Sequence, residues 1–288
     1  MRRFTSARVR TNTSAGMGNN PLLILILILC AERLGLRLGL GRAGNRWKFG
    51  PRGLRLRAML PEPAQRHYQG EAGRRYQQHK RGIPDSALAW VARLRAEKLS
   101  PSVRPTDVVL EYGVGLGWNL AALKCRRRIG FDVADFLEPS VRALGIEYIA
   151  ETKSIADGTM DVVLCHHTLE HVPEPAAVLG EIRRLLAPGG KLLLFAPLER
   201  EAKYKQFIPD EPNHHLYSWN TQSLGNLARE LGFEVAAAGT GEFGYSRFAA
   251  VWASKLRLGE SGFRCLRRLL HIVKPACEVR ITAVKPKS

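Results

Sequence analysis

Acidic residues are scarce in this chain, and its cysteines are few and scattered. Its 288 residues include 26 Asp and Glu against 44 Lys and Arg, for a formal charge of +18, and only five cysteines. Cys30, Cys125, Cys165, Cys265 and Cys277 form no Cys-x-x-Cys pair and leave one over, which excludes a disulfide framework and a Cys-based structural zinc site. This usage fits a reducing, cytoplasmic setting. Long apolar runs are also missing: Pro21–Cys30 falls far short of the ~20 residues that a membrane-spanning helix needs, so no membrane span is expected. No internal repeat is visible, which excludes a solenoid or propeller.

What charge there is sits unevenly. The first sixty residues hold twelve Lys and Arg against the single acid Glu32, so most of the excess belongs to that stretch and the remainder is only mildly basic. A strongly basic whole would point to nucleic acid; this distribution disfavours it. Residues 1–60 combine an Arg-rich start, the short apolar run and Gly/Arg/Leu repeats such as Leu34-Gly35-Leu36-Arg37-Leu38-Gly39, without helix caps or a sustained period. They read as a basic, low-order tail that the fold does not need, or as translated sequence upstream of a start at Met17 or Met59. A signal peptide is the weaker reading, because Leu29 before Cys30 is not the small residue that a cleavage site wants.

From residue 61 to 288 the pattern is regular and reads as one domain. Pro84-Asp85-Ser86 begins a helix carrying Leu88, Val91, Leu94 and Leu99 and ending at Ser100-Pro101. Short apolar strands then alternate with amphipathic helices. Strands are expected at Val108–Tyr112, Ile129–Val133, Ile146–Ala150, Asp161–Cys165, Lys191–Ala196 and Phe233–Ala237; helices are expected at Asn119–Arg126, Glu138–Leu144, Ala176–Ala187 and Thr221–Leu231. An Arg-rich helical region follows Gly244, and Cys277–Val284 is one more strand. Such alternation calls for an α/β fold with a doubly wound, mostly parallel sheet and right-handed crossovers.

The sharpest chemical signal is Glu111-Tyr112-Gly113-Val114-Gly115-Leu116-Gly117-Trp118-Asn119, where the first strand turns. Glycines allow tight turns and close approach of a ligand, and a helix N-terminus beyond them would offer N–H groups to negative charge. A dinucleotide fingerprint would place its third glycine at position 118, which is Trp, so a pyrophosphate site and a nicotinamide-dependent oxidoreductase are disfavoured. Glu111 suits a ligand with a cationic part. Asp132, at the end of the second strand in Gly130-Phe131-Asp132-Val133, lies about 20 residues beyond the first glycine, where a carboxylate can accept both ribose hydroxyls; it would equally serve as a helix N-cap.

Further strings follow in order: Asp157-Gly158-Thr159-Met160-Asp161-Val162-Val163, Leu169-Glu170-His171-Val172-Pro173-Glu174-Pro175, Leu186-Ala187-Pro188-Gly189-Gly190-Lys191 and Leu231-Gly232-Phe233. Together with the glycine loop and Asp132, the ordered series resembles class I (Rossmann-like) S-adenosylmethionine-dependent methyltransferases of the type 11/type 23 kind, over roughly residues 104 to 238. The resemblance implies a seven-stranded sheet of order 3-2-1-4-5-7-6 with the seventh strand, Cys277–Val284, antiparallel. It implies S-adenosylmethionine as cofactor, bound by Glu111, Gly113, Gly115, Gly117 and Asp132. Glu151, an imperfect match, would face the adenine, and His166 would lie near the methionine moiety. It fixes the donor better than the acceptor, which is expected to be a small molecule, methylated at O, N or C. A non-catalytic donor-binding or nucleic-acid-associated module is the alternative.

Two histidine clusters remain. His167-Thr168-Leu169-Glu170-His171 fits the H-x-x-E-H pattern of zinc hydrolases, but it follows a strand and runs into Val172-Pro173, so no such helical metal motif is expected. The segment Pro209-Asp210-Glu211-Pro212-Asn213-His214-His215-Leu216-Tyr217-Ser218-Trp219 lies where relatives close over the acceptor. His214, His215 or Tyr217 would be general base if the acceptor must lose a proton, since imidazole titrates near neutral pH; otherwise the segment is a loop with satisfied polar groups.

Overall fold

The fold is known from a computed structural model, which describes residues 67–80, 82–199, 206–208, 211 and 213–287. The tail expected over residues 1–60 lies outside the described residues. Seven strands, β1 (Val108–Tyr112), β2 (Arg127–Phe131), β3 (Glu147–Ile149), β4 (Met160–His166), β5 (Leu186–Pro197), β6 (Glu234–Glu242) and β7 (Cys277–Val284), form one sheet in the order β3-β2-β1-β4-β5-β7-β6. The first five are parallel, and β7 runs antiparallel between β5 and β6. The expected order and the antiparallel last strand are both present.

Helices are α1 (Gly70–Lys80), α2 (Asp85–Leu99), α3 (Glu138–Ala143), α4 (Pro175–Leu185), α5 (Thr221–Glu230), α6 (Ser246–Lys255) and α7 (Gly259–Val273). The two-residue period of a strand divides the core between the faces of the sheet. On β5, Leu192, Leu194 and Ala196 face one core with Leu179, Ile182 and Leu185 of α4 and Leu224 and Ala228 of α5. Leu193 and Phe195 face the other, with Ala96 and Leu99 of α2 and Leu137 and Val141 at α3. Both faces are therefore covered, which explains the consecutive apolar residues Val108–Leu110 of β1 and Val162–Cys165 of β4. Leu194 is fully buried; Leu194→Ala would cost about 2–5 kcal/mol.

One expected helix is absent. Residues 119–126 form isolated turns, with the Leu120 and Ala121 N–H groups both donating to the Gly117 carbonyl at 3.2 and 3.0 Å. Bonds from outside the segment pin its far end. Arg127 and Arg128 already pair with Val108 and Val109 in the sheet, while the Arg126 N–H is tied to the Asp107 carbonyl at 2.9 Å. The chain is thus drawn from the turn at Gly117 directly into β2. The Arg-rich region beyond Gly244 divides into α6 and α7, because Arg257 and Gly259 take left-handed backbone conformations between them.

Candidate active site

The chain passes from β1 outward to β2 and β3, then returns to the other side of β1 as β4. This leaves a crevice at the carboxyl ends of β1 and β4, where open α/β sheets bind ligands. A cavity of about 690 Å³ occupies it, lined by the glycine loop, by Asp132 to Ala134, by His166 to Thr168, and by Tyr68, Tyr76 and Gln77 from α1 and the residues before it. That size suits a small-molecule ligand.

Glycines 113, 115 and 117 all have positive φ, but their surroundings differ. A Cβ at Gly113 would lie 2.2 Å from the Thr168 hydroxyl, and one at Gly117 would lie 2.9 Å from Ile146, so both are required by packing within the protein. A Cβ at Gly115 would meet nothing within 4 Å. Gly115 is thus the place where backbone is left open toward the cavity. Its N–H donates to Asp132 Oδ2 at 2.8 Å, and Ala134 N–H donates to Oδ1 at 3.0 Å. Asp132 therefore caps the following turn and fastens the glycine loop while lining the cavity; burial raises its carboxyl above the usual range, against those backbone bonds.

Glu111 is 1% exposed. Its Oε1 accepts from Asn119 Nδ2 at 2.5 Å, and its Oε2 is buried without a partner. Burial pushes its carboxyl up to about 8, although the Asn119 bond and the nearby Arg95 charge pull the other way. A buried carboxylate oxygen of this kind is stabilised by a donor or cation arriving in the cavity. Arg95 on α2 reaches the same corner, donating to Asn119 Oδ1 at 3.0 Å with its guanidinium 5.6 Å from the Trp118 ring. Trp118 lines the cavity rather than wedging between helix and sheet.

His166 ends β4 and lines the cavity wall. Lys98 Nζ donates to its Nε2 at 2.8 Å, and burial together with the Lys98 charge keeps the imidazole neutral, well below its ordinary value. Burial also lowers Lys98 to about 8, opposed by Glu278. His167, with φ of 53°, donates from Nε2 to Glu278 Oε2 at 3.1 Å; burial takes it to about 4, so the contact is a hydrogen bond of a neutral ring. Glu278 is fully buried on β7; burial alone would raise it, yet the His167 bond and the Lys98 charge hold it below the usual range.

Other expected site residues stand apart. Gly117 and Glu151 do not line the cavity, and Glu151 is exposed, its carbonyl accepting from Ser154 Oγ at 2.7 Å. His214, His215 and Tyr217 do not line it either, but they gather at its rim. The Leu216 and Tyr217 N–H groups donate to the Glu170 carbonyl at 2.8 and 3.2 Å, fastening this segment to the loop after β4. His214 stacks on His67 at 4.7 Å, His215 Nδ1 meets Glu199 at 2.9 Å, and the Tyr217 hydroxyl donates to the Pro173 carbonyl at 2.8 Å.

Sequence reading passed over Arg95, Lys98, Asn119, Thr168 and the two tyrosines. Arg95 and Lys98 lie four and seven positions after buried Val91, on the apolar stripe of α2. Basic residues on a stripe were the available signal. Tyr68 and Tyr76 gave none, and burial raises both hydroxyls far above their ordinary value, so neither is a base near neutral pH.

Sheet order and the position of the crevice define a class I methyltransferase fold. Residues 78–238 match the type 23 methyltransferase-domain family, and the chain belongs to that family. It is 33% identical over 182 residues, 54% of this chain and 70% of the other, to a probable S-adenosylmethionine-dependent methyltransferase of Mycolicibacterium smegmatis. It is 29% identical to an uncharacterized 37.1 kDa protein in transposon TN4556 of Streptomyces fradiae, over 46% of this chain and 45% of that one. It is also 34% identical to a ubiquinone biosynthesis O-methyltransferase of Thiobacillus denitrificans, over 27% of this chain and 38% of that enzyme. The chain thus spans less than half the length of these last two relatives.

Proposed function

We propose that this protein transfers a methyl group from S-adenosylmethionine to a small-molecule acceptor, at O, N or C, in the cytoplasm. The observation that carries the reading is the unpartnered oxygen of Glu111 buried beside the open backbone of Gly115, within a cavity of a methyltransferase-family chain. The residues present fit the donor. Glu111 would take its amino group, Arg95 and Asn119 holding that carboxylate in place. Asp132 would accept from the ribose hydroxyls with the lone pairs left over from its two backbone bonds, Gly113 and Gly115 would line the approach, and neutral His166 would border the methionine end without adding charge. Gly117 supports the loop through packing. Glu151 would need a different arrangement of its loop to reach the adenine.

When bound, the donor supplies a methyl group already activated by its sulfonium, so the protein's part is alignment and, for a hydroxyl or acid acceptor, removal of one proton. The rim segment, through His214, His215 or Tyr217, would hold or take that proton. The O-methyltransferase name of one relative supports an oxygen acceptor, and the four widely spaced thiols at Cys125, Cys165, Cys265 and Cys277 support a reducing compartment. No described helix is long and apolar enough to cross a membrane. Incubation with methyl-labelled donor and fractionated cell extract tests the reading: label should enter a low-molecular-weight fraction. Label confined to protein or nucleic acid would overturn the acceptor class, and no label anywhere, despite donor binding, would favour a non-catalytic module.

A further inference from the structure

We propose that Glu170, His171 and His215 form a binding site for a divalent transition-metal cation at the acceptor-side rim of the cavity. The H-x-x-E-H pattern does not close on itself, because His167 turns away to Glu278 on β7. In its place the fold brings in His215, forty-four positions beyond His171, and the candidate ligand atoms of the three residues lie within 4.8 Å of one another. Two imidazoles and one carboxylate suit zinc or iron(II) and leave further coordination positions open.

The hydrogen bonds set the tautomers that such a site needs. Glu199 can only accept from the Nδ1 of His215, 2.9 Å away, so that nitrogen carries the hydrogen and Nε2 carries the lone pair. The Tyr68 hydroxyl lies 2.7 Å from His171 Nδ1 and 3.0 Å from the Asn213 carbonyl; with its hydrogen on that carbonyl it accepts from Nδ1 and leaves the lone pair on Nε2. His171 Nε2 then faces Glu170 Oε1 at 3.8 Å; ligands of a tetrahedral zinc sit about 3.3 Å apart, so a small rotation suffices. Ligating histidines fixed through the other ring nitrogen by a carboxylate or hydroxyl are the usual outer sphere of a metal site. Glu170 is 1% exposed, and the two bonds to its carbonyl from Leu216 and Tyr217 hold His215 against it. In the cluster of His166, His167 and Glu278 the Lys98 ammonium contacts both His166 and Glu278, at 2.8 and 3.0 Å, and its charge repels a cation there. His171 lines the cavity, so a cation there would face the acceptor; that orientation rests on the methyltransferase reading, whereas the site does not.

The full chain, stripped with chelator and dialysed, is titrated with Zn²⁺ by calorimetry and with Co²⁺ by visible absorption. One equivalent should bind more tightly than about 10 μM. Glu170→Gln, His171→Ala and His215→Ala should each weaken binding more than about 100-fold, and Tyr68→Phe and Glu199→Gln about 10- to 100-fold. Titration of the same samples with S-adenosylhomocysteine separates a lost site from a lost fold: metal loss with product affinity retained supports the proposal. Binding weaker than about 100 μM in wild type, or equal in all five variants, overturns it.

Discussion

The two halves of the cavity are built in different ways. On the donor side the contacts are local: Glu111 meets Asn119 eight residues on, and Gly115 meets Asp132 seventeen on. On the rim they are long-range, with Tyr68 reaching His171 across 103 positions and Asn213 across 145. The donor side has a long-range exception in Lys98, which holds His166 and reaches Glu278 across 180 positions. The donor half is set by strand ends and backbone bonds, whose geometry any chain with these glycines must reproduce. The rim depends on where loops and helices of this particular chain come to rest. A shared donor and a chain-specific acceptor would divide between the halves in just this manner, so substitutions should separate donor affinity from turnover along the same line.

The largest effect on donor affinity is expected at Asp132. A carboxylate receiving two ribose hydroxyls makes charge-assisted bonds of about 1.5–3 kcal/mol each, not strictly additive. Asp132→Ala also leaves the Gly115 and Ala134 N–H groups without their acceptor. Calorimetry should show donor and S-adenosylhomocysteine both weakened about ten- to a thousandfold, with the fold retained; Asp132→Asn, which keeps one backbone acceptor, should fall between. Wild-type affinity in folded Asp132→Ala would dissolve the distinction between the halves at its strongest point.

Glu111→Gln should weaken the donor by about tenfold, roughly 1.4 kcal/mol, and should also change its pH dependence. In the ligand-free protein the Glu111 carboxyl stands at about 8 instead of the ordinary 4.5. The folded state therefore holds a proton that the unfolded state has lost throughout that window, and this group's contribution to stability falls as pH rises from about 4.5 to about 8. The carboxylate needed for an ammonium forms over the same rise, so wild-type donor affinity should increase as pH rises toward 8 and fall again once the donor's own ammonium loses its proton. In Glu111→Gln the stability slope and the rise in affinity should both flatten. Either one surviving the substitution would assign the titration to another group.

Gly115 and Gly117 sharpen the line within the donor half. Each has a left-handed backbone, where alanine costs about 1–2 kcal/mol. At Gly117 the added methyl also meets Ile146 and Leu144, so Gly117→Ala should lower the melting temperature more. Gly115→Ala should lower donor affinity several-fold more than Gly117→Ala, since only at Gly115 does the methyl point into open space. The reverse ranking in calorimetry and thermal melts would move the ligand away from Gly115.

This asymmetry also governs what the sequence disclosed. Sheet order, the antiparallel Cys277–Val284 strand and the positions of Glu111, Gly113, Gly115 and Asp132 follow from short-range pattern and from an ordered series of motifs. The missing helix after Gly117 did not follow, because apolar spacing in Asn119–Arg126 is compatible with a helix, while the bond that ties the Arg126 N–H to the Asp107 carbonyl comes from outside the segment. Arg95 and Lys98, charged residues on the apolar stripe of α2, are explained only once the fold sets Asn119 against the first and His166 and Glu278 of β4 and β7 against the second. His171 and His215 stand within a ring contact of 4.8 Å although forty-four positions separate them, and nothing in either local string announces the other.

The smallest effect on donor affinity is expected from the rim. His214, His215 and Tyr217 do not line the cavity. Their contacts run to His67, to Glu199, to the His171 ring and to the Pro173 carbonyl, and none of these is with Asp132 or the glycine loop. Replacing His214 or His215 by Ala, or Tyr217 by Phe, removes no bond that holds Glu111, Gly115 or Asp132. Donor affinity should therefore stay within about threefold of wild type, well below the ~1.4 kcal/mol of a tenfold change. Turnover, measured with whichever acceptor takes label from extract, should fall in at least one variant. If a proton must leave the acceptor, that loss should be about 10²–10⁴-fold at the residue that removes it and slight at the others. An equal loss of donor affinity in these variants would join rim and donor site into one unit. Unchanged turnover in all three would exclude a proton-removing role for these side chains and leave the segment fastened to the loop after β4 by the bonds from Leu216 and Tyr217 to Glu170.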